Sequence, residues 1–573
     1  MRLMLLAGAA IAALTIGPQA VADATADRAA RDLIERPQVC GRVGSAVDAA
    51  PSADMVMVDG FGTGGFKIDT ANPEAQAWFD HGVKLRWAFE HSESVRAFRK
   101  ARALDPTCGL CAWGEAWALG PNLNGGGNDK ASLDAALVAA RDARRLARGA
   151  TPMQKRMIDA LIQRYSGREE TRSERFARAM DRIARAYPDD VSVAAVTADA
   201  WMLNADEWWD EDGKAADPGI TRAMQVLEHA LSVNADDPGA IHLYIHLTEW
   251  SDDPHKAIPY GEKLARLAPG ASHLVHMPSH TFFRVGRYRE AMMSNVQAVA
   301  LDKRYDRLAT PPGGVKGMPL HGHNIHFGMG GALMAGGAEE GLKLADGFLS
   351  TYSELVQPPS QDEGDRLLWR QMMANNAYAL YGRYADQAQV AALAEPDAER
   401  PMMVISWRYA RGEAAARRGD SAAVRAEAQA IRDIRDATDL TGPQAEMRAA
   451  FFELSQRVLE GRAAMIEGNA PAAIAAFTRA AEIQAMGGSE GGDPPIVWYP
   501  TRRSLAAAML ANGDAAGARA KILELLTDWP SDPYSYFVLA EAETALGDLA
   551  AAETARRLAG VEWIGGDMSL RLA

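Results

Sequence analysis

Residues 78–106, WFDHGVKLRWAFEHSESVRAFRKARALDP, carry the pattern on which the reading of the whole chain turns. Trp78, Gly82, Leu85, Phe98, Ala101 and Pro106 set large apolar residues, small residues and a closing proline at helical spacing. Apolar positions three and four apart place these groups along one face of a helix. The spacing therefore predicts two helices with a turn near His91, small residues where the helices approach closely, and a proline in the following loop. One such hairpin cannot bury its apolar face alone and needs copies of itself on either side.

The copies are present. Pro269 is followed after 17 residues by the turn Gly286-Arg287-Tyr288 and then by Ala291, Asn295 and Ala298. The same register returns at Gly468–Ala480, Gly513–Pro530 and Pro533–Ala552, with looser copies around Pro188, Pro238, Gly336, Gly382 and Gly419. A helix pair repeated in this way is the mark of a tetratricopeptide repeat. The predicted fold is all-α, a tetratricopeptide-like helical-hairpin solenoid of about ten repeats with an irregular N-terminal leader. The expected divisions are a signal peptide at 1–22, the leader at 23–72, an N-terminal array at 73–345 and a C-terminal array at 346–573. Insertions at 120–128 and 308–322 interrupt the arrays, and the second, with Pro311-Pro312-Gly313-Gly314, is expected to cap the groove.

Length alone, 573 residues, would suggest roughly three or four domains; the repeats replace that count with one shared core. At 48% hydrophobic and 24% charged, the chain is rich enough to fold. A formal net charge of -14 argues against nucleic acid and anionic membrane as partners, since phosphate is held by clustered Lys and Arg. Met1-Arg2, an apolar run from Leu3 to Ile16, and Pro18-Gln19-Ala20-Val21-Ala22 have the form of a cleaved export signal, too short to span a bilayer. A periplasmic or secreted location follows, with no membrane span. Of the three cysteines, Cys108 and Cys111 share C-x-x-C spacing at a predicted helix start; a structural disulfide, redox chemistry and soft-metal binding are the readings this spacing allows. Cys40 is either free or paired with one of them.

Nine of the 12 histidines fall between 242 and 326, where even spreading would place about two. His242 and His273 lie four residues after Pro238 and Pro269; Glu249 and His280 lie eleven after the same prolines. His323 and His326 precede Gly336 by the distances that separate His273 and His276 from Gly286. Matched offsets put these residues on the first helix of successive hairpins, the face that lines the concave groove of such a solenoid. Pairs three or four apart, such as His242–His246 and His276–His280, share one helix face and suit capture of a metal ion. The expected ligands are His242, His246, Glu249, His273, His276, His280, His323 and His326, with Glu249 as ligand or general base. The donor set favours Zn, Cu or Fe, with Met277, Met318 and Met329 as further soft donors for copper. Arg284 and His321 are expected beside the groove, and Arg284 and Arg287 beside the cluster also suit an anionic ligand. His255, in an Asp-rich turn, is expected to be exposed; His81, His91 and His229 are expected to be structural.

Phe89–Asn124, with Leu104-Asp105-Pro106, Cys111-Ala112-Trp113-Gly114 and Gly120-Pro121-Asn122-Leu123-Asn124, and the motif His273-Leu274-Val275-His276-Met277-Pro278-Ser279-His280 resemble a family of exported bacterial tetratricopeptide-repeat proteins. The resemblance implies fold and export and transfers no reaction. No nucleophile motif, phosphate loop, dinucleotide fingerprint or H-E-x-x-H helix is present. Two readings of function remain. One is a metal-binding protein, with hydrolytic or oxidative chemistry if a coordination position is open. The other is a scaffold that holds a peptide or envelope protein in the groove without turnover.

Overall fold

The computed structural model describes residues 54–573 apart from 211, 361–365, 442–444, 487–493 and 496, together with Ala46 and Ala49. The proposed signal at 1–22, most of the leader and Cys40 lie outside the described residues. The chain is all-helical, a succession of antiparallel helix pairs that begins with Pro73–Trp87 and His91–Leu104 and ends with Pro533–Leu546 and Leu549–Glu562. No helix among the described residues is long and apolar enough to cross a membrane.

The turn glycines fall where the repeat register puts them. Gly286, Gly336, Gly419, Gly468, Gly513 and Gly547 all have φ between 71° and 87°, a left-handed conformation that lets the first helix of a pair end sharply. Gly382 is the exception. It lies inside the helix Arg366–Tyr384, and a Cβ there would meet the Ala410 carbonyl oxygen at 2.9 Å, so this glycine serves close helix packing and not a turn. In the first hairpin the Phe98 ring fills the space left by Gly82 and Gly114, where any Cβ would approach it to 2.8 Å or less.

Two large hydrophobic cores share the chain. One gathers residues from Ala46 to Leu320, the other from Phe282 to Trp529. The end of the array folds back on its middle: Tyr288 donates to the Pro530 carbonyl at 3.0 Å, and Ile564 N–H donates to the Ala335 carbonyl at 2.9 Å.

The described leader packs across the N-terminal hairpins. Gly270 N–H donates to the Gly60 carbonyl at 2.7 Å, and Phe61 sits edge-on to both His81 and Tyr305. The 308–322 insertion forms the short turn Gly314–Gly317 and buries Met318 and Leu320 in the N-terminal core. Cys108 and Cys111 are joined in a disulfide at the start of the helix Gly109–Leu119, fully buried.

Candidate metal centre

Asp237 starts the helix Pro238–Thr248 by accepting from Ala240 N–H at 2.8 Å, and Pro238 occupies the first turn, where a missing N–H breaks no helical bond. This start sets His242 and His246 one turn apart on one face, with their Nε2 atoms 3.0 Å apart. Glu249 caps the same helix. In the next hairpin the histidine spacing predicts one helix, but the structure has two, Ser272–His276 and Pro278–Arg284. Pro278 has no N–H to continue the ladder, so the helix breaks at Met277. The break still leaves His276 and His280 facing, with Nε2 atoms 2.8 Å apart. His273 Nε2 reaches His242 Nε2 at 3.2 Å, and His323, on the helix His321–Ala335, brings its Nε2 to 3.0 Å from that of His276.

Among the described residues, donors lying within 4.8 Å of one another come in threes: His242, His246 and His273; His276, His280 and His323; and His246, Glu249 and His280. With metal–nitrogen bonds of about 2.0–2.1 Å, two ligands of a tetrahedral ion sit about 3.3 Å apart, close to the spacings in the two trihistidine sets.

For three of the rings, His242, His276 and His280, the far side fixes the tautomer. His242 Nδ1 donates to the Trp87 carbonyl, which can only accept. His280 Nδ1 donates to Glu249 Oε2 at 2.5 Å, and Glu249 Oε1 lies 3.5 Å from His246 Nδ1. His276 Nδ1 donates to Asn295 Oδ1 at 2.6 Å; the amide is oriented by its own Nδ2, which donates to the Ala291 carbonyl at 2.8 Å. Ser279 Oγ lies 3.3 Å from the same His276 nitrogen. A neutral imidazole carries a single N–H. With that hydrogen on Nδ1, His276 and His280 direct Nε2 lone pairs at one another across 2.8 Å. Such a pair repels unless a cation, proton or metal ion, lies between.

Burial, reinforced by neighbouring imidazoles, holds His242, His273 and His323 well below the usual histidine range. All six rings of the two sets are 3% exposed or less, and Glu249 is 4% exposed. This corrects the expectation of an open concave surface. Phe89 lies against the first set, with ring centroids 4.3 Å from His242, 5.6 Å from His246 and 5.2 Å from His273. Phe327 does the same for His276, His280 and His323 at 4.8, 4.4 and 5.1 Å. Phe89 is one of three non-glycine residues with positive φ among those described, at 56°, and strain of that kind concentrates at functional sites.

Other sequence-predicted residues stand differently. His326 is buried on the His323 helix but belongs to none of the three donor groups. His321 Nδ1 pairs with Asp302 Oδ2 at 2.9 Å, which also accepts from Asn324. The Arg284 guanidinium stacks 3.2 Å above the Trp250 ring. His91 is buried and doubly bonded, to Arg86 Nη1 at 2.9 Å and to Asn124 Oδ1 at 3.0 Å; Asn124 belongs to the 120–128 insertion. His81 is buried, His229 is half-exposed beside Asp189, and His255 is exposed near Asp253. Histidine spacing did not disclose Phe89, Phe327, Asn295 or the Trp87 carbonyl; an aromatic four residues after His323 was the one available signal.

No family model and no curated protein matches this chain. Among solved structures it is similar to human IFIT1, as a dimer with m7Gppp-AAAA, at 12% identity and TM-score 0.30 over 86% of this chain and 91% of that one. It is also similar to the P58(IPK) TPR domain, at 12% identity and TM-score 0.22 over 82% and 98%.

Proposed function

We propose that this helical-repeat protein binds a transition-metal ion through buried histidines. The observation that carries the reading is the His276–His280 pair, whose Nδ1 atoms are committed to Asn295 and Glu249 while their Nε2 atoms face each other at 2.8 Å. Histidine ligands whose second nitrogen is tied to a carboxylate or amide oxygen are the usual build of a metal site, because the outer partner fixes ring orientation and raises donor strength. Imidazole-only donors suit Zn, Cu or Fe. Three protein nitrogens leave a fourth position for water or substrate, as in catalytic rather than purely structural sites, so metal-dependent hydrolysis or oxidation is the enzyme class this reading allows.

A peptide or envelope protein in an open groove is less well supported, since rings 3% exposed or less offer such a ligand little surface. Export to the periplasm or beyond belongs to the same reading, and the buried Cys108–Cys111 disulfide favours an oxidising compartment. Elemental analysis of tag-free protein tests the metal. At least stoichiometric zinc, copper or iron is expected, with less in His276→Ala/His280→Ala; less than about 0.2 equivalents in the wild type, or equal content in that variant, would sink it.

A further inference from the structure

We infer that the centre holds two metal ions side by side, one in His242, His246 and His273 and one in His276, His280 and His323, with Glu249 as the shared outer carboxylate. The inference rests on the metal-binding reading and adds the number of ions and their arrangement.

The two sets share no residue, and two rings of each have similar surrounds. In each, one ring's Nδ1 is tied to an uncharged oxygen, the Trp87 carbonyl for His242 and the Asn295 amide for His276. A second ring in each faces Glu249: His246 Nδ1 lies 3.5 Å from Oε1, and His280 Nδ1 donates to Oε2 at 2.5 Å. Each set lies against its own phenylalanine, Phe89 from the N-terminal core and Phe327 from the second core, so the pair straddles the junction between the cores. The sets are neighbours, with His273 stacked on His276 at 5.2 Å between centroids.

One ion cannot use this arrangement fully. The close Nε2 contacts of the first set meet at His242 and those of the second at His276, so the ring nitrogens converge at two separate points. Glu249 explains why the sets are paired. One carboxylate orients a ring at each point, and its negative charge offsets part of the charge two cations bring into a buried site.

The test is a count. Tag-free full-length protein is dialysed against excess Zn2+, then against metal-free buffer, and its zinc is measured. About two equivalents are expected. One equivalent overturns the paired centre while leaving the single-ion reading intact; none overturns both. His242→Gln/His273→Gln and His280→Gln/His323→Gln should each retain about one equivalent, in complementary sets. Loss of both ions from either variant, with unchanged far-UV circular dichroism, would show a single shared site and refute the pairing. The wild-type count decides the question even if a variant fails to fold. Glu249→Gln should weaken both ions by about 10–100-fold in competition with a zinc chelator; weakening of only one would remove Glu249 as the shared element.

Discussion

Two buried glutamates, one in each half of the chain, each gather a pair of basic side chains. Glu413 lies between Arg462, at 3.1 Å, and Arg383, at 3.5 Å. Glu249 lies between His246, at 3.5 Å, and His280, at 2.5 Å. The outcomes differ because a guanidinium is always charged and an imidazole need not be. Around Glu413 the charges answer one another: Arg462 also donates to the Ala573 carbonyl at 2.6 Å, Arg383 donates to the Leu572 carbonyl at 2.9 Å, and nearby Arg503 pairs with Asp532 at 2.8 Å. Around Glu249 the carboxylate meets one nitrogen of each ring, and the other nitrogen faces a further imidazole: His246 Nε2 lies 3.0 Å from His242 Nε2, and His280 Nε2 lies 2.8 Å from His276 Nε2. The first arrangement is closed and structural. The second gathers imidazole nitrogens around one carboxylate.

That contrast can be broken most sharply at Arg462. Arg462→Ala leaves Glu413 buried with one weaker partner, and removing one member of a buried ion pair costs about 3–5 kcal/mol. Urea unfolding should show the C-terminal transition move to lower denaturant while zinc content stays at the wild-type value. A loss of zinc in this variant would mean that the two centres are not independent. Next in size is the effect of the metal. Zinc at a thousandfold excess over its dissociation constant should stabilise the folded protein by about 4 kcal/mol, and a chelator should reverse it.

Acid separates the halves in a third way. Burial, with the adjacent Lys84 charge, pushes His81 down to about 4, so the folded state favours the neutral ring. Its contribution is complete above the unfolded value of 6.5 and is lost as pH falls from there towards 4. The full span is worth about 3 kcal/mol. Burial on its own would raise the Glu413 carboxyl, but Arg462 and Arg383 outweigh it and hold the group below its usual 4.5, so this contribution is lost only as pH falls below that value. The N-terminal half should therefore weaken first. Between pH 7 and pH 4.5 the urea midpoint of His81→Gln should fall less than that of the wild type; equal slopes would show that His81 does not carry the effect.

Much of the fold was legible because helical hairpins announce themselves through spacing. Turn glycines such as Gly286 and Gly547 stand at fixed distances from loop prolines, and the backbone obeys them. Gly382 misled because a glycine at a close helix crossing and a glycine in a turn look alike in sequence; only the neighbouring Ala410 carbonyl distinguishes them. The convergence of the histidines was legible for the same reason as the turns, since matched offsets in stacked repeats bring matched residues together. Their burial was not. Part of it comes from Phe89 and Phe327, whose rings lie against the two histidine sets in contacts that no histidine offset predicts. Nor does a histidine's spacing reveal what its second nitrogen touches. The Trp87 carbonyl and Asn295 lie 155 and 19 residues from the rings they orient.

His91 gives the finest test of what separates a ligand from a structural histidine. It is as buried as the six, and its ring stacks on the same Phe89, at 5.3 Å between centroids. Location and burial alone would therefore make it a candidate. Its hydrogen bonds do not. Arg86 can only donate, so His91 Nδ1 must be the accepting lone pair, and Nε2–H then donates to Asn124 Oδ1. Both nitrogens are committed, and none is left for a metal ion. His91→Gln should cost about 1–2 kcal/mol through the broken bonds and leave zinc content unchanged. His242→Gln, a few ångströms away across Phe89, should lose zinc. If the two variants lost zinc equally with their folds intact, tautomer assignment would not be what distinguishes the sites, and burial beside Phe89 would be the governing property.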